Sequence, residues 1–195
     1  MKTLSALAFA ALATAAASGA VTTPGVEISA FGAPALGNDF KDHTGFGVSG
    51  AVTAAYAFPD SAYGEQFLGQ LEGIYLHGSG TNTIGGPSHR ESLDAGFGML
   101  NFGLGTANDH WAFTIFAGLG FGGGSLSGDT TAKDLSLDAA FQLKPRVTWR
   151  FARAWSVFAE YRYFRTASVF GDLFSNDDGR RLSMHAIGLG VSYSF

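Results

Sequence analysis

Residues 135–163 decide the fold, and they read LSLDAAFQLKPRVTWRFARAWSVFAEYRY. Their side chains alternate with a period of two, which is the pattern of a β-strand. In the first half the large apolar side chains share one face: Leu135, Leu137, Ala139, Phe141, Leu143, Pro145, Val147, Trp149 and Phe151. The other face is smaller and more polar: Ser136, Asp138, Ala140, Gln142, Lys144, Arg146, Thr148 and Arg150. Only three residues, Ala152-Arg153-Ala154, separate this segment from a second alternating segment. The two segments are therefore predicted to form an antiparallel hairpin.

The same alternation recurs along the chain and predicts eight strands. The alternation is clearest at 45–58 and 182–195 and weaker at 26–36, 67–77 and 93–102. The predicted strands are 26–36, 45–58, 67–77, 93–102, 111–121, 135–151, 155–163 and 182–195. Most of them have the length of about 9 to 11 residues that a tilted strand needs to cross a bilayer.

Composition excludes several classes of protein. The chain has 195 residues, of which 46% are hydrophobic and only 14% charged, against about 25% charged in soluble domains. The absence of cysteine rules out disulfides, thiolate metal sites and cysteine nucleophiles. A net charge of -4 argues against nucleic-acid binding. No spacing of histidines forms a metal site, and no cofactor is predicted.

The first twenty residues are predicted to be a secretory signal peptide. Lys2 is followed by an apolar run and then by small residues at positions 18–20. Cleavage is expected before Val21, which leaves residues 21–195 as one domain.

The direction of the alternation indicates a membrane protein. Charged side chains share a face with glycine, alanine and serine, while the large apolar side chains lie opposite. A water-soluble barrel has the reverse arrangement, whereas a barrel in lipid turns its apolar face outward. We therefore predict an all-β fold, an eight-stranded antiparallel up-and-down transmembrane β-barrel. Residues 37–44, 78–92, 122–134 and 164–181 would form the external loops, and 59–66, 103–110 and 152–154 the shorter periplasmic turns.

Aromatic side chains cluster beside the predicted periplasmic turns. Five of them are predicted to form a girdle at the membrane interface: Phe58, Trp111, Trp149, Phe151 and Trp155.

Three motifs resemble a known family: Val147-Thr148-Trp149-Arg150-Phe151, Glu160-Tyr161-Arg162-Tyr163 and Val191-Ser192-Tyr193-Ser194-Phe195. With these the chain resembles the small outer-membrane barrels of Gram-negative bacteria, the opacity-protein and OmpA-like group. The resemblance implies a location in the outer membrane, in contact with its lipids and lipopolysaccharide. It also implies that Tyr193 and Phe195 form the signal read by the barrel-assembly machinery, and that periplasmic chaperones escort the chain. No external ligand is implied.

The phase of the strands places a set of charged residues in the lumen: Glu27, Glu72, Asp94, Asp138, Lys144, Arg146, Arg150, Glu160 and Arg162. Eight strands leave an interior that side chains can fill, and opposite charges there offset each other's desolvation. A structural plug is therefore predicted. A small gated channel is the alternative, in which rearranged ion pairs open a narrow water path.

Two further functions have candidate residues in the sequence. An adhesin would use the external loop 164–181, since loops carry recognition on a rigid scaffold. A lipid A-modifying enzyme would use His77 and Ser79, because an imidazole can take the proton of a serine hydroxyl. The sequence shows no group to orient the histidine, so no catalytic residue is predicted and the chain is expected not to be an enzyme.

Overall fold

A computed structural model of the protein describes residues 21–38, 43–58, 63–82, 89–128, 133–167 and 182–195. These ranges contain eight strands: β1 Val21–Asn38, β2 His43–Ala57, β3 Glu65–Asn82, β4 His89–Ala107, β5 Trp111–Gly128, β6 Lys133–Arg150, β7 Trp155–Ala167 and β8 Leu182–Ser194. Each strand pairs antiparallel with the next, and β1 pairs with β8, which closes the barrel. The predicted fold class is therefore confirmed. Within these ranges, no helix has the length and hydropathy needed to span a membrane.

The barrel has two unlike ends. We call the end with the connections 58–64, 108–110 and 151–154 the turn end, and the opposite end the loop end. At the turn end the side chain of Asn108 accepts hydrogen bonds from the backbone amides of His110 (3.0 Å) and Trp111 (2.7 Å), which fixes the β4–β5 turn. The predicted signal peptide lies outside the described residues, and so do residues 39–42, 83–88, 129–132 and 168–181 of the predicted external loops.

Several strands extend further toward the loop end than the sequence predicts. β3 ends at Asn82 rather than 77, and β5 ends at Gly128 rather than 121. The glycine-rich run 122–124 was predicted to be loose external loop, and this was wrong because it belongs to β5. Glycine has a packing role there: a Cβ on Gly122 would lie 2.3 Å from the Phe97 ring, and one on Gly118 would lie 1.8 Å from Asn101 Oδ1. Glycines on β5 thus make room in the lumen for the larger side chains of β4.

The outer wall of the barrel is apolar along its whole circumference. Large side chains that would normally be buried are exposed on all eight strands, and Leu119 and Ile187 are each 69% exposed. A continuous exposed apolar surface of this extent would be strongly unfavourable in water, and it suits contact with lipid.

Two layers of side chains cross the lumen, and on their turn-end side lies a cavity of about 340 Å³ lined by Gly25, Thr53, Ala112 and Ser194 among others. Toward the turn end lies a charged layer, formed by Glu27, Glu72, Lys144, Arg146, Glu160 and Arg162. Toward the loop end lies an apolar layer of Phe31, Ala33, Leu36, Ile74, Leu76, Leu93, Ala95, Phe97, Met99, Ala140, Phe164, Leu182, Met184 and Ala186. The sequence analysis expected a small and polar interior throughout, so the apolar layer is a correction.

Candidate functional sites in the lumen and on the outer wall

Glu72 is the centre of the charged layer. Its carboxylate is 2% exposed and receives Lys144 Nζ on Oε2 at 2.7 Å and Arg162 Nη2 on Oε1 at 2.7 Å. Both cations are fully buried. Because a buried ion is strongly destabilising without a partner, these three side chains depend on one another.

The network continues along β6 and β7 to Glu27 on β1. Arg162 Nη2 also donates to Glu160 Oε1 at 2.7 Å, and Arg146 Nη2 donates to Glu160 Oε2 at the same distance. Arg146 Nη1 then reaches Glu27 Oε2 at 2.7 Å. Three carboxylates and three cations thus form one connected set with no net charge.

Neutral amides complete the hydrogen bonding of these carboxylates. Gln142 Nε2 and Asn101 Nδ2 donate to Glu72 Oε2 at 2.7 and 2.9 Å. Gln70 donates to Glu27 Oε2 at 2.7 Å and accepts from Lys144 Nζ at 2.8 Å. The sequence analysis gives no site role to Gln142 or Asn101, because a neutral amide at an inward position has no distinguishing pattern.

Aromatic rings line the arginines of the charged layer. The Arg162 guanidinium lies 4.6 Å from the centroid of the Phe31 ring, and that of Arg146 lies 3.9 Å from Phe158 and 5.0 Å from Phe116. A cation over a ring face is attracted by the quadrupole of the ring. The rings also fill space that water would otherwise occupy.

The apolar layer closes over the charged layer on the loop side. Leu36, Leu76, Leu93, Met99 and Met184 are all fully buried there. Phe97 and Phe164 meet edge to face with their centroids 4.8 Å apart. These side chains come from strands on all sides of the barrel, so the layer spans the lumen.

The nine charged residues that were predicted to face the lumen do not all lie there. Six of them form the charged layer. Arg150 has the inward phase but lies exposed at the turn end, where Nη1 is 3.5 Å from the carbonyl oxygen of Asp109. The backbone of Asp138 belongs to β6, but its side chain lies outside the described residues.

The prediction for Asp94 was wrong, because its side chain lies on the outer wall. In β4 the buried positions are the odd-numbered ones, including Leu93, Phe97 and Met99. Large apolar side chains occur on both faces of this strand, so the sequence pattern gave no reliable phase. The sequence analysis places Asp94 in the lumen by the phase of its strand, and that phase is one residue off.

Asp94 belongs instead to a polar group that we call the wall cluster, formed by Tyr75, His77 and Asp94. His77 Nδ1 lies 2.8 Å from Asp94 Oδ1, and the Tyr75 hydroxyl donates to the same oxygen at 2.5 Å. The side chains of His77 and Asp94 are 32% and 41% exposed. Residues 77 and 94 are direct partners in the β3–β4 register, which brings their side chains together on one face.

The five predicted girdle residues lie at the turn end and are exposed. Trp111 stacks on Trp149 at 6.2 Å between centroids, and Trp149 contacts Phe151 at 6.0 Å. Trp155 meets Tyr193, which in turn contacts Phe195 at 5.3 Å. The predicted assembly signal therefore contacts the girdle through Trp155, although its recognition stays a prediction.

Comparison with known proteins identifies the family. Residues 3–195 match the family described as outer membrane protein beta-barrel domain. The chain belongs to this family. Its location is the Gram-negative outer membrane, as the sequence analysis predicted. No curated protein matches the chain by sequence.

Solved structures show the same fold. Neisserial surface protein A is 14% identical, with a TM-score of 0.57 and coverage of 90% of this chain and 99% of that chain. Ail, the attachment invasion locus protein of Yersinia pestis, is 12% identical, with a TM-score of 0.51 and the same coverage. At these identities the likeness is one of fold alone.

Proposed function

We propose that this outer-membrane barrel is a structural surface protein with a closed lumen that passes neither ions nor small solutes. The observation that carries the proposal is the buried group of Glu72, Lys144, Arg162 and Glu160, linked by ion pairs of 2.7 Å beneath the apolar layer. Catalysis in the lumen is not part of this function.

The charged layer supports closure because opening it would be costly. A water path through this layer would require at least one ion pair to separate inside a narrow, poorly hydrated barrel. Each carboxylate oxygen of Glu72 already has at least one donor, and Lys144 is held by Gln70 as well. The carboxylate of Glu72 is thus well satisfied in this arrangement, whereas Nε and Nη1 of its partner Arg162 are buried without a hydrogen bond to the described residues.

The apolar layer supports closure independently. Hydrated ions do not cross a constriction of packed apolar side chains, because the constriction excludes water. Rearranging the ion pairs alone would leave Leu76, Leu93 and Phe164 in the way. This second barrier favours the plug over the gated channel.

Conductance in planar bilayers tests the proposal. The purified wild-type barrel should give no discrete current steps, and Glu160→Gln should not create them. A variant with both Leu76→Ala and Leu93→Ala has a thinner apolar layer. It is therefore the form in which ion leakage through the lumen is easiest to detect. Leu104→Ala is the matched control, because Leu104 is 65% exposed on the outer wall. Discrete wild-type currents that change in Glu160→Gln would favour the channel instead.

The surroundings of the protein follow from the same proposal. The outer wall would contact membrane lipids and lipopolysaccharide, with the loop end facing outward and the girdle at the periplasmic interface. During biogenesis, periplasmic chaperones and the barrel-assembly machinery would act on the chain. Heat-dependent gel mobility of the outer-membrane fraction tests the intact barrel, since a closed barrel migrates differently until it is boiled.

A binding function of the loops remains a separate prediction. The loop between β7 and β8 lies outside the described residues, so the structure supplies no argument about a ligand. Replacing that loop should abolish attachment to any external ligand while the barrel remains folded.

A further inference from the structure

The cavity of about 340 Å³ on the turn-end side of the charged layer is a second feature of the lumen, which we call the vestibule. Its outer residues Arg150, Arg153 and Ser194 are exposed, whereas Arg146 and Phe116 at its inner end are buried. The vestibule therefore opens at the turn end and ends at the charged layer. Its volume lies at the lower end of the range for small-molecule sites, about 300–1,000 Å³.

The strand register brings polar side chains together in the vestibule. Arg150 on β6 pairs with Ser156 on β7. Ser192 on β8 then pairs with Ser156 on one side and with Glu27 on the other. Because paired residues of neighbouring strands point to the same face of a sheet, these side chains form one row across four strands. Three threonines, a further serine and an arginine of the β6–β7 turn add to the polar lining: Thr53, Thr114, Thr148, Ser194 and Arg153.

The charges of the vestibule are not balanced. Among the described residues that line it, Glu27 is the only carboxylate, and both of its oxygens are already engaged. Oε1 accepts a hydrogen bond from Thr53 at 2.8 Å, and Oε2 accepts from Gln70 and Arg146 at 2.7 Å each. The negative charge of Glu27 thus belongs to the charged layer.

Two positive charges remain at the mouth of the vestibule. Arg150 Nη1 lies 3.5 Å from the carbonyl oxygen of Asp109, which is a neutral group. Neither Arg150 nor Arg153 forms an ion pair with a residue that the structure describes. The charged layer is neutral as a set, so the surplus positive charge of the lumen lies at this mouth.

Guanidinium groups beside hydroxyl groups suit the binding of an anion. The parallel N–H groups of an arginine match the two oxygens of a carboxylate or a phosphate, and serine and threonine hydroxyls can donate to oxygens that are left. A cleft with low-dielectric walls concentrates the field of the charges that line it. An anion inside the vestibule would therefore be attracted more strongly than one at an open surface.

The side of the vestibule opposite these arginines is partly apolar. The arginines come from β6 and the β6–β7 turn, while Ala55 on β2 and Leu68 on β3 line the other side of the closed barrel. A ligand with an anionic group and a short carbon skeleton would meet complementary surfaces on both sides. This favours a small organic anion over a bare inorganic ion.

We propose that the vestibule binds a small organic anion through a carboxylate or phosphate group held by Arg150 and Arg153. This binding goes beyond the structural function and does not depend on whether the lumen is closed. The ligand would enter from the periplasm, which rests on the orientation given with the proposed function.

Titration calorimetry of the purified full barrel in a nonionic, lipid-free detergent tests the proposal. Citrate is the carboxylate probe, glycerol 3-phosphate is the phosphate probe, and glycerol is the uncharged control. We expect at least one of the two anions to bind at a single site and glycerol not to bind. The stronger of the two anions identifies the preferred anionic group.

Arginine variants test which charges hold the anion. Arg150→Gln and Arg153→Gln should each weaken the affinity by about tenfold or more, because each removes a charge-assisted hydrogen bond. Arg90→Gln is the matched control, since it removes the same charge from an exposed position on β4 at the loop end. It should leave the affinity unchanged. Heat-dependent gel mobility checks that every variant forms the closed barrel.

Nuclear magnetic resonance of the wild-type barrel locates the site without any substitution. The anion should shift the backbone amide signals of Ser156, Ser192 and Ser194, and those of Ser79 and Ser92 near the loop end should not move. A second sample in nanodiscs that contain phosphatidylglycerol, with neither soluble anion present, distinguishes a lipid headgroup from a free anion.

Four results would overturn the proposal. They are the absence of binding of both anions to the wild-type barrel, an equal loss of affinity in Arg90→Gln, shifted amides that lie outside the vestibule, and shifts caused by phosphatidylglycerol but by neither soluble anion. The last result would assign the two arginines to the lipid surface. Because binding is measured in detergent, none of these results bears on the conductance test of the closed lumen.

Discussion

The charged and apolar layers of the lumen fill the same barrel in opposite ways. The charged layer has few members, and each depends on particular partners, as Glu72 does on Lys144 and Arg162. The apolar layer has more members, joined by packing without directional bonds. One sheet with a single period of two thus supports two kinds of interior. The comparison teaches that inward position and polarity are separate properties of a barrel sequence.

The two layers should respond differently to the loss of one side chain. In the charged layer, removing one ion leaves its buried partner uncompensated, so the penalty comes from the group that remains. In the apolar layer, the penalty comes from lost transfer free energy and from the cavity left behind. Unfolding by urea in lipid vesicles, followed by tryptophan fluorescence, measures both.

Glu72→Ala should have the largest effect. It leaves Lys144 without any of its carboxylate contacts and removes one of the two carboxylates on Arg162, so the free energy of unfolding should fall by about 3–5 kcal/mol. Asp109→Ala is the matched control, since its carboxylate is on an exposed turn. A loss no larger than in the control would show that the charged layer does not depend on Glu72.

Leu76→Ala should come next, with a loss of about 2–5 kcal/mol from a fully buried position of the apolar layer. Because no charge is exposed, the loss should be the same at low and high salt. The control is Leu104→Ala on the lipid-facing wall. An equal loss in both variants would mean that the apolar layer is no better packed than the outer surface.

Gly118→Ala should displace the side chain of Asn101, which donates a hydrogen bond to Glu72. A Cβ at this position would overlap Asn101 Oδ1, and displacement of that side chain should cost about 1–3 kcal/mol. Gly73→Ala is the control, because nothing lies within 4 Å of a Cβ there. If the two variants were equally stable, Asn101 would have to be free to move aside.

The smallest expected effect is the coupling free energy of one ion pair in the charged layer, that of Arg146 with Glu160. A double-mutant cycle with Arg146→Met and Glu160→Gln should give a coupling of about 0.5–3 kcal/mol, with the double variant more stable than the sum of the single losses predicts. The equivalent cycle with Leu76→Ala and Leu104→Ala should be additive, since one side chain faces the lumen and the other faces lipid. Additivity in the first cycle would mean that Arg146 and Glu160 contribute independently.

Much of the fold could be predicted from the sequence because the two faces of most strands differ in residue type. Segments such as 135–151 have one large apolar face and one polar face, which fixes both the period and the phase. The hairpin between β6 and β7 followed from three intervening residues. The ends of β3 and β5 could not be predicted, because glycine is common both in loops and at inward positions opposite large side chains.

The functional sites were predictable only where charge and phase agreed. Glu72, Lys144 and Arg162 were found because charged side chains alternate there with large apolar ones. The apolar layer was missed since Leu93 and Phe97 have the same residue types as lipid-facing positions. Asp94 was misassigned for the complementary reason, namely that a charged side chain can also lie on the outer wall when a neighbouring strand provides partners.

The pairing of β1 with β8 has a consequence for how the protein folds. It joins residues from opposite ends of the domain, such as Glu27 and Ser192, so that contact order is high and the loss of chain entropy on closing this ring is large. Until β8 arrives, the hydrogen-bonding edges of β1 and β7 remain open to other chains. Closure of this last seam is therefore expected to limit the rate of folding, and the partly closed sheet is the species most in need of protection from aggregation.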